Sequence, residues 1–434
     1  MGYLREYQRR IINDIVNNPF YGVFLDCGLG KTLITLSAIN ILLKNNTIQK
    51  VLIIAPLQVI YNVWPEENNK WEFGFKISNL HKNKKNTDAD ILLINPEGIG
   101  KLDFSTLNAD MLIVDESTKF KNYSSKRFKT LKNRLYLFKR RLILTGTPAP
   151  KGLIDLWSQV YILDKGERLG KYITHFRNKY FYISTYSQYV YNLIDKADKQ
   201  IINKITDIVK FYRIKHNDFN SIINTILCIS PNDIQLLYKQ FIKDSVIKID
   251  TSEIHASNKI AKLNKLRQIS SGICYNDNNL AIALSRHKLE SLNTLLENLG
   301  DQSLLIIYNY NIEVSIIQSV ISNHSIINGR TSQSKRIDII NKWNNKKIQY
   351  LILQAQTLSH GVNLQSGGHN ICWFSPTYDL EVYKQMNARL IRSGQNETVL
   401  IHHLVTKNTI EPIIYNILSD KADLQEDILL KLIT

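Results

Sequence analysis

Cysteine is scarce in this chain. Four of its 434 residues are cysteines (Cys27, Cys228, Cys274 and Cys372), and no two form a Cys-x-x-Cys pair. That distribution argues against a zinc module or a disulfide framework and fits a reducing compartment. Long apolar runs are also missing: none approaches the roughly 18–20 residues of a membrane span. The opening Met1-Gly2-Tyr3-Leu4-Arg5-Glu6 does not read as a signal peptide. It also fails as a myristoylation signal, because Glu6 stands where Ser or Thr is required. A cytoplasmic protein with no membrane role is the expectation. Acidic residues are few relative to basic ones, 38 Asp and Glu against 55 Lys and Arg, for a net charge of +17. The imbalance points to a polyanionic partner, nucleic acid ahead of an anionic membrane. A lysine-rich proteome encoded by an AT-rich genome would leave the same mark. What the chain does have is a 44% hydrophobic content, enough for real cores and against disorder. Its length predicts two to four domains.

Short apolar runs alternate with helical patterns in the first stretch. Strands are expected at Tyr21–Asp26, Val51–Ala55, Ile91–Ile94, Met111–Val114 and Leu142–Leu144, and a helix at Thr32–Leu43. Alternation of this kind builds a parallel sheet with helices on both faces. Residues 166–280 read as mostly helical, with stretches such as Ile201–Tyr212 and Ile260–Ile269. The strand rhythm returns at Leu304–Tyr308, Ser325–Asn328, Gln349–Leu353, Ile371–Phe374 and Val399–Leu404. Two α/β lobes joined by a helical middle are therefore predicted.

The segment Leu25-Asp26-Cys27-Gly28-Leu29-Gly30-Lys31-Thr32 follows a strand and opens a helix. Glycines let the backbone curl so that N–H groups face phosphate oxygens, and the helix N-terminus adds its positive end. Lys31 can reach the β- and γ-phosphates, and the Thr32 hydroxyl can ligate Mg²⁺. The full G-x-x-x-x-G-K-[ST] pattern is not met, because Leu25 occupies the first glycine position. Downstream, the apolar strand Met111–Val114 ends in Asp115-Glu116. Acids at the carboxyl end of a parallel strand sit where such sheets bind ligands. Asp115 can hold Mg²⁺ while Glu116 polarises the attacking water.

These segments, with others in the same order, resemble a Swi/Snf-type ATPase of helicase superfamily two, in the compact form that bacteriophages encode. Leu4-Arg5-Glu6-Tyr7-Gln8 resembles the adenine-reading element, with Gln8 as the base reader. Asp26–Thr32 is similar to the family's phosphate loop. Ala55-Pro56-Leu57-Gln58-Val59 with Trp64, Glu67 and Trp71 resembles motif Ia, and Ile94-Asn95-Pro96-Glu97 motif Ib. Asp115-Glu116-Ser117-Thr118 resembles the phage form of motif II, which departs from the DEAH spelling but keeps both acids. Leu144-Thr145-Gly146-Thr147-Pro148 resembles motif III, Ser359-His360-Gly361-Val362-Asn363-Leu364-Gln365 motif V, and Gln385 through Arg389, Arg392 and Gln395 motif VI.

The resemblance implies an α/β fold of two RecA-like parallel-sheet lobes with a helical segment between them. It assigns residues 1–165 to the ATP-binding lobe, 166–280 to the helical middle and 281–434 to the second lobe with a C-terminal helix. It implies ATP and Mg²⁺ as cofactors. Lys31, Glu116, Arg389 and Arg392 would be catalytic, with Arg392 as the arginine finger completing the ATP site from the second lobe. Gln8, Gly28, Gly30, Lys31, Thr32 and Gln385 would bind ATP; Thr32 and Asp115 would hold the metal. Thr145, Gly146, Thr147, Gly361 and Asn363 would couple hydrolysis to nucleic acid. The implied activity is ATP-driven translocation along double-stranded DNA by a monomer, in a bacterial host's cytoplasm if phage-encoded. A strand-separating helicase of DNA or RNA, and a nucleic-acid-binding protein without turnover, are the alternatives.

Some features admit two readings. Residues 121–141 hold nine basic residues and no acid: a phosphate-contacting surface or a solvated helix. Arg389 and Arg392 could instead be two solvated arginines on one helix face. Tyr180, Phe181, Tyr182, Tyr186, Tyr189 and Tyr191 are expected to pack rather than stack on bases, and His402-His403 to be ordinary strand positions rather than metal ligands. Cys27 is expected to pack.

Overall fold

The computed structural model describes residues 4–25, 28–81, 86–150, 152–184, 187–212, 221–249, 252–357, 363–392 and 394–431. Asp26, Cys27, Lys151, Tyr186, Ser359 through Val362 and Ser393 fall outside them, as does any statement on the Tyr189 side chain. The chain divides into two compact units, Met1–Lys215 with Lys421–Thr434, and His216–Asp420.

The first unit is built on strands β1 (Phe20–Leu25), β2 (Val51–Ile54), β3 (Ile77–Asn79), β4 (Ile91–Ile94), β5 (Met111–Asp115) and β6 (Arg140–Thr145). A hairpin, β7 (Phe181–Ser184) and β8 (Ser187–Leu193), precedes β9 (Val209–Tyr212). The sheet runs β3-β4-β2-β5-β6-β1-β9, and its pairings are parallel. Val51–Ile54, Ile91–Ile94 and Met111–Asp115 are buried throughout. Continuous apolar runs belong in such strands, because helices cover both faces of a parallel sheet. On one face Leu52, Ile54, Leu92, Ile94, Leu112 and Val114 share a core with Phe128, Leu131, Trp157 and Val160. That core continues past residue 165, through Phe176, Ile201, Ile205 and Phe211.

The second unit opens with β10 (Ser221–Cys228) and carries two small hairpins, β11 (Val246–Ile249) with β12 (Ser252–His255) and β13 (Ile273–Tyr275) with β14 (Ala281–Ala283). Its main sheet adds β15 (Leu304–Tyr308), β16 (His324–Ile327), β17 (Tyr350–Gln354), β18 (Asn370–Trp373) and β19 (Val399–Thr406). They run β10-β19-β18-β15-β17-β16, again with parallel pairing. The predicted fold class is the one observed.

The middle differs locally from the reading of its sequence. Ile201–Tyr212 is not one helix: a helix over Ala197–Asn203 stops, and β9 then joins the sheet beside β1. Isoleucines at 201, 202, 205 and 208 mimic helical spacing, but a turn intervenes and the sheet edge captures the rest. Ile260–Ile269 does form a helix, Lys259–Ser270. Among the aromatics, Tyr180 and Phe181 are buried as expected, whereas Tyr182 is 54% exposed. Tyr191 lies under the Arg177 guanidinium at 4.5 Å. His402 and His403 are buried strand positions. Asn224 meets His402 Nδ1 at 3.0 Å and Tyr383 meets His403 Nε2 at 3.0 Å. No metal-binding group of three or more His, Cys, Asp or Glu occurs among the described residues. Among them, no helix is long and apolar enough to cross a membrane.

Candidate active site

Three neighbouring strands, β5, β6 and β1, end on the same edge of the first sheet. Register places Phe24 beside Thr145 and Asp115 beside Leu144. The loops leaving that edge carry the glycine-lysine turn, the acid pair and the Thr145–Pro148 turn. Carboxyl ends of parallel strands are where α/β sheets gather ligand groups.

After β1 the chain passes through Gly28 and Gly30, both with positive φ (84° and 83°), into the helix Lys31–Lys44. Gly30 is required twice over. Its backbone is left-handed, and an added Cβ would lie 2.7 Å from Gln8 Nε2. Gln8 is buried on the first helix, Glu6–Asn17, and its amide approaches the Leu29 carbonyl at 3.5 Å while Tyr7 donates to it at 3.1 Å. The Arg5 N–H donates to Gln8 Oε1 at 3.0 Å. The segment Arg5–Gln8 is thus clamped onto the loop. Lys31 donates to the Leu25 carbonyl at 2.8 Å. Thr32 follows in the first helical turn.

Asp115 and Glu116 are both buried, at 7% and 8% exposure. Burial pushes the Asp115 carboxyl up to about 7; the adjacent Glu116 charge adds to this, while the Lys31 ammonium and the Trp64 indole pull it back. Lys31 and Asp115 therefore feel each other although 84 positions separate them (115 − 31). Glu116 adopts a left-handed backbone, φ 55°, a conformation that costs a non-glycine residue free energy and clusters at functional sites. Its Oε2 atom is buried with no partner, and so is Thr147 Oγ1 on the neighbouring loop. Buried oxygens seldom go unsatisfied, and both residues lie on loops that leave the carboxyl edge of the sheet, after β5 and β6.

Gln159 ties the two loops together. Ser117 donates to its Oε1 at 2.6 Å, and its Nε2 donates to the Pro148 and Asp155 carbonyls at 2.6 and 2.9 Å. The sequence reading missed this residue. Its signal was present: a glutamine inside the mostly apolar, fully buried helix Leu156–Asp164 must have partners.

The second unit carries the other expected residues. Its helix Leu380–Asn387 ends before Arg389 and Arg392, which sit in the turns that follow. The alternative of two solvated arginines on one helix face does not hold. Arg389 is 5% exposed, its Nε donates to the Gln385 carbonyl at 3.0 Å, and its own carbonyl accepts from Leu364 N–H at 3.3 Å. Gln385 donates to Glu381 at 3.2 Å, and its Oε1 is buried without a partner. Gln395 reaches the Gln365 and Gly368 carbonyls at 3.2 and 3.0 Å. Motifs V and VI are thereby stitched together. Asn363 is exposed, its carbonyl accepting from Asn344 at 2.9 Å. Gly361 lies outside the described residues.

Residues 17–278 match the SNF2-related domain. The chain belongs to the SNF2-related family. Residues 287–394 of this SNF2-related chain match the helicase conserved C-terminal domain. It is an ATPase of the helicase and translocase type, with two RecA-like lobes. It is 28% identical to protein p41 of Acyrthosiphon pisum secondary endosymbiont phage 1, over 97% of both chains. It is 24% identical to the DNA repair and recombination protein RDH54 of Saccharomyces cerevisiae, over 89% of this chain and 47% of that protein. The chain thus spans less than half the yeast relative's length. A solved structure, the Sulfolobus solfataricus SWI2/SNF2 ATPase core in complex with dsDNA, is 25% identical over 99% of this chain and 93% of that one, with a TM-score of 0.46.

Proposed function

We propose that this chain is an ATP-driven translocase on double-stranded DNA. The observation that carries the reading is the buried pair Asp115-Glu116. It lies within electrostatic reach of Lys31, with one carboxylate oxygen unpartnered, beside a glycine loop fixed by Gln8. In this reading Gly28, Gly30, Lys31 and Thr32 hold the phosphates, and Gln8 reads the base. Glu116 accepts a proton from the attacking water. Arg392 stabilises charge on the transferring phosphoryl group, Arg389 contacts phosphate, and Gln385 joins the nucleotide site. Thr145, Gly146, Thr147, Gly361 and Asn363 carry the state of the nucleotide to the nucleic acid.

The donor set suits Mg²⁺. A threonine hydroxyl and a carboxylate are hard oxygen ligands, and too few protein oxygens converge for an all-protein cage, which is how Mg²⁺ is held beside phosphates. Thr32 and Asp115 would hold it; when bound, it would supply positive charge against the nucleotide's phosphates. A cation there would also offset the burial and the adjacent Glu116 charge that raise the Asp115 carboxyl.

A nucleic-acid partner is favoured by the net charge of +17, and DNA by a relative named for DNA repair and recombination. The test is ATPase activity with duplex DNA, single-stranded DNA and RNA side by side. Translocation predicts strongest stimulation by duplex, without strand separation. Stimulation by single strands with unwinding would make it a helicase; no turnover under any condition would make it a binding protein.

A further inference from the structure

Of the nine basic residues in 121–141, all but Lys121 fall into two populations. Arg140 and Arg141 are buried at the start of β6. Arg140 Nη2 donates to the Ile15, Val16 and Asn18 carbonyls at 2.8, 2.8 and 3.0 Å, closing the C-terminus of the first helix. Arg141 donates to the Leu163 and Leu135 carbonyls, each at 2.8 Å. Arg127 pairs with Glu97 at 3.2 Å, Lys139 with Asp110 at 3.0 Å, and Lys132 lies 4.6 Å over the Tyr161 ring. These five are engaged within the fold.

Lys126, Lys129 and Arg134 are different. All three are exposed, and together with Ser124, Thr130 and Asn133 they line one open groove of about 480 Å³. No carboxylate lines it. Asp103 is near enough to Arg134 to feel its charge, but its Oδ1 is engaged by Ser105 N–H and Oγ at 3.1 and 2.6 Å. Positions 126, 129, 130 and 133 follow helical spacing. They form the solvent face of the helix Lys126–Lys132, whose opposite face buries Phe128 and Leu131 in the core. Three cations gathered in a groove whose lining holds no carboxylate, with Asp103 beside Arg134 as a nearby counter-charge, and flanked by hydroxyl and amide donors, suit phosphodiester oxygens. The groove is open, and its cations sit on long flexible stems in solvent, so it suits an extended polyanion better than one small anion. A membrane surface fits poorly, because this helix has already spent its apolar face on the core.

We propose that this groove is a nucleic-acid backbone site, formed by Lys126, Lys129 and Arg134 on the first unit and separate from the phosphate loop. The inference rests on the translocase reading. Its test measures duplex binding by the full chain across a series of salt concentrations. Replacing Lys126, Lys129 and Arg134 together with Ala should flatten the log–log salt slope by about 2–3, at roughly 0.9 per phosphate contact. Affinity should fall alike for all sequences, and DNA-free nucleotide binding should not change. A control triple, Lys171→Ala, Lys199→Ala and Lys204→Ala, removes the same charge elsewhere on the unit and should leave the slope near wild type. An unchanged slope in the groove triple, or an equal loss in the control, overturns the groove while leaving the translocase reading intact. A wild-type chain that binds no nucleic acid overturns both.

Discussion

Ser117 and Gln159 are joined by a 2.6 Å hydrogen bond, and the same glutamine holds the Pro148 carbonyl at 2.6 Å. One amide thus bridges the loop after the acid pair and the turn after β6. Replacing Gln159 with Ala strands the Ser117 hydroxyl and the Pro148 carbonyl in a buried setting, at about 1–3 kcal/mol for each group left unsatisfied. The unfolding free energy of the first unit, measured in urea, should fall by about 2–6 kcal/mol. Nucleic-acid stimulation of ATP turnover should fall more than basal turnover, because the two loops lose their link. A wild-type unfolding midpoint with normal stimulation would show that the bridge does neither job.

Glu116→Gln should retain ATP and slow its hydrolysis by about 10²–10⁴, the usual worth of a general base. Lys31→Ala should lose nucleotide affinity as well, because the ammonium serves ground and transition states alike. Filter binding and phosphate release on the two variants separate these roles. Near wild-type turnover by Glu116→Gln would remove it from the mechanism.

Gly30→Ala should weaken nucleotide binding and stability together. A left-handed alanine costs about 1–2 kcal/mol, and its methyl would meet Gln8 Nε2 at 2.7 Å. Adding Gln8→Ala should relieve the clash but not the backbone strain, giving partial recovery of the melting temperature. Full recovery would mean that φ is not a constraint at Gly30.

Arg392→Ala should keep ATP binding within a few-fold while losing about 10³–10⁵ in stimulated turnover, as for an arginine finger. Arg389→Ala should behave differently. Its guanidinium is buried and bonded to the Gln385 carbonyl, so this variant should also destabilise the second unit. Equal thermal stability of the two variants would contradict that distinction.

The second unit should weaken in acid. His287 is buried, accepts from Ser285 Oγ at 2.9 Å through Nδ1 and donates to the Ser270 carbonyl at 3.1 Å through Nε2. Burial, with help from the Lys288 charge, lowers its pKa to about 4. The folded state therefore binds this proton less readily than the unfolded state. Stability is intact above the unfolded pKa of about 6.5 and falls by about 1.4 kcal/mol per pH unit as pH drops from there towards 4. Urea midpoints at pH 7.5 and 5.5 test this, and His287→Gln should flatten the difference. A wild-type slope in that variant would place the titration elsewhere.

The inner strands of both sheets were legible because a parallel strand buried on both faces must be apolar at every position, whereas β3 went unread and β9 was read as part of a helix. Val51–Ile54 and Leu304–Tyr308 could hardly be anything else. The glycine loop and the acid pair were legible because phosphate chemistry restricts residue type. What remained hidden depended on distant partners. β10 is apolar, with Ile222, Ile223, Ile226 and Leu227, but mostly exposed at a sheet edge, and its pairing partner β19 lies 178 positions later (399 − 221). Arg140 and Arg141 looked like surface charge, yet they are buried because carbonyls from three other segments converge on them. Gln159 was passed over because its partners arrive from loops 11 and 42 positions away.

β1 lies between β6 and β9, and this order has a consequence for synthesis on the ribosome. Phe20 must wait for Arg141, 121 residues later (141 − 20), before β1 has a neighbour, and β1 must wait for Val209 before its other edge is covered. At about 5–20 residues per second, the first wait lasts about 6–24 s. Throughout it an apolar strand and its glycine loop emerge with no sheet to join. The earliest-made part of the catalytic machinery is thus among the last to be assembled, and Phe20–Leu25 is the segment a chaperone would hold, or an aggregate would recruit, while the chain is still being made.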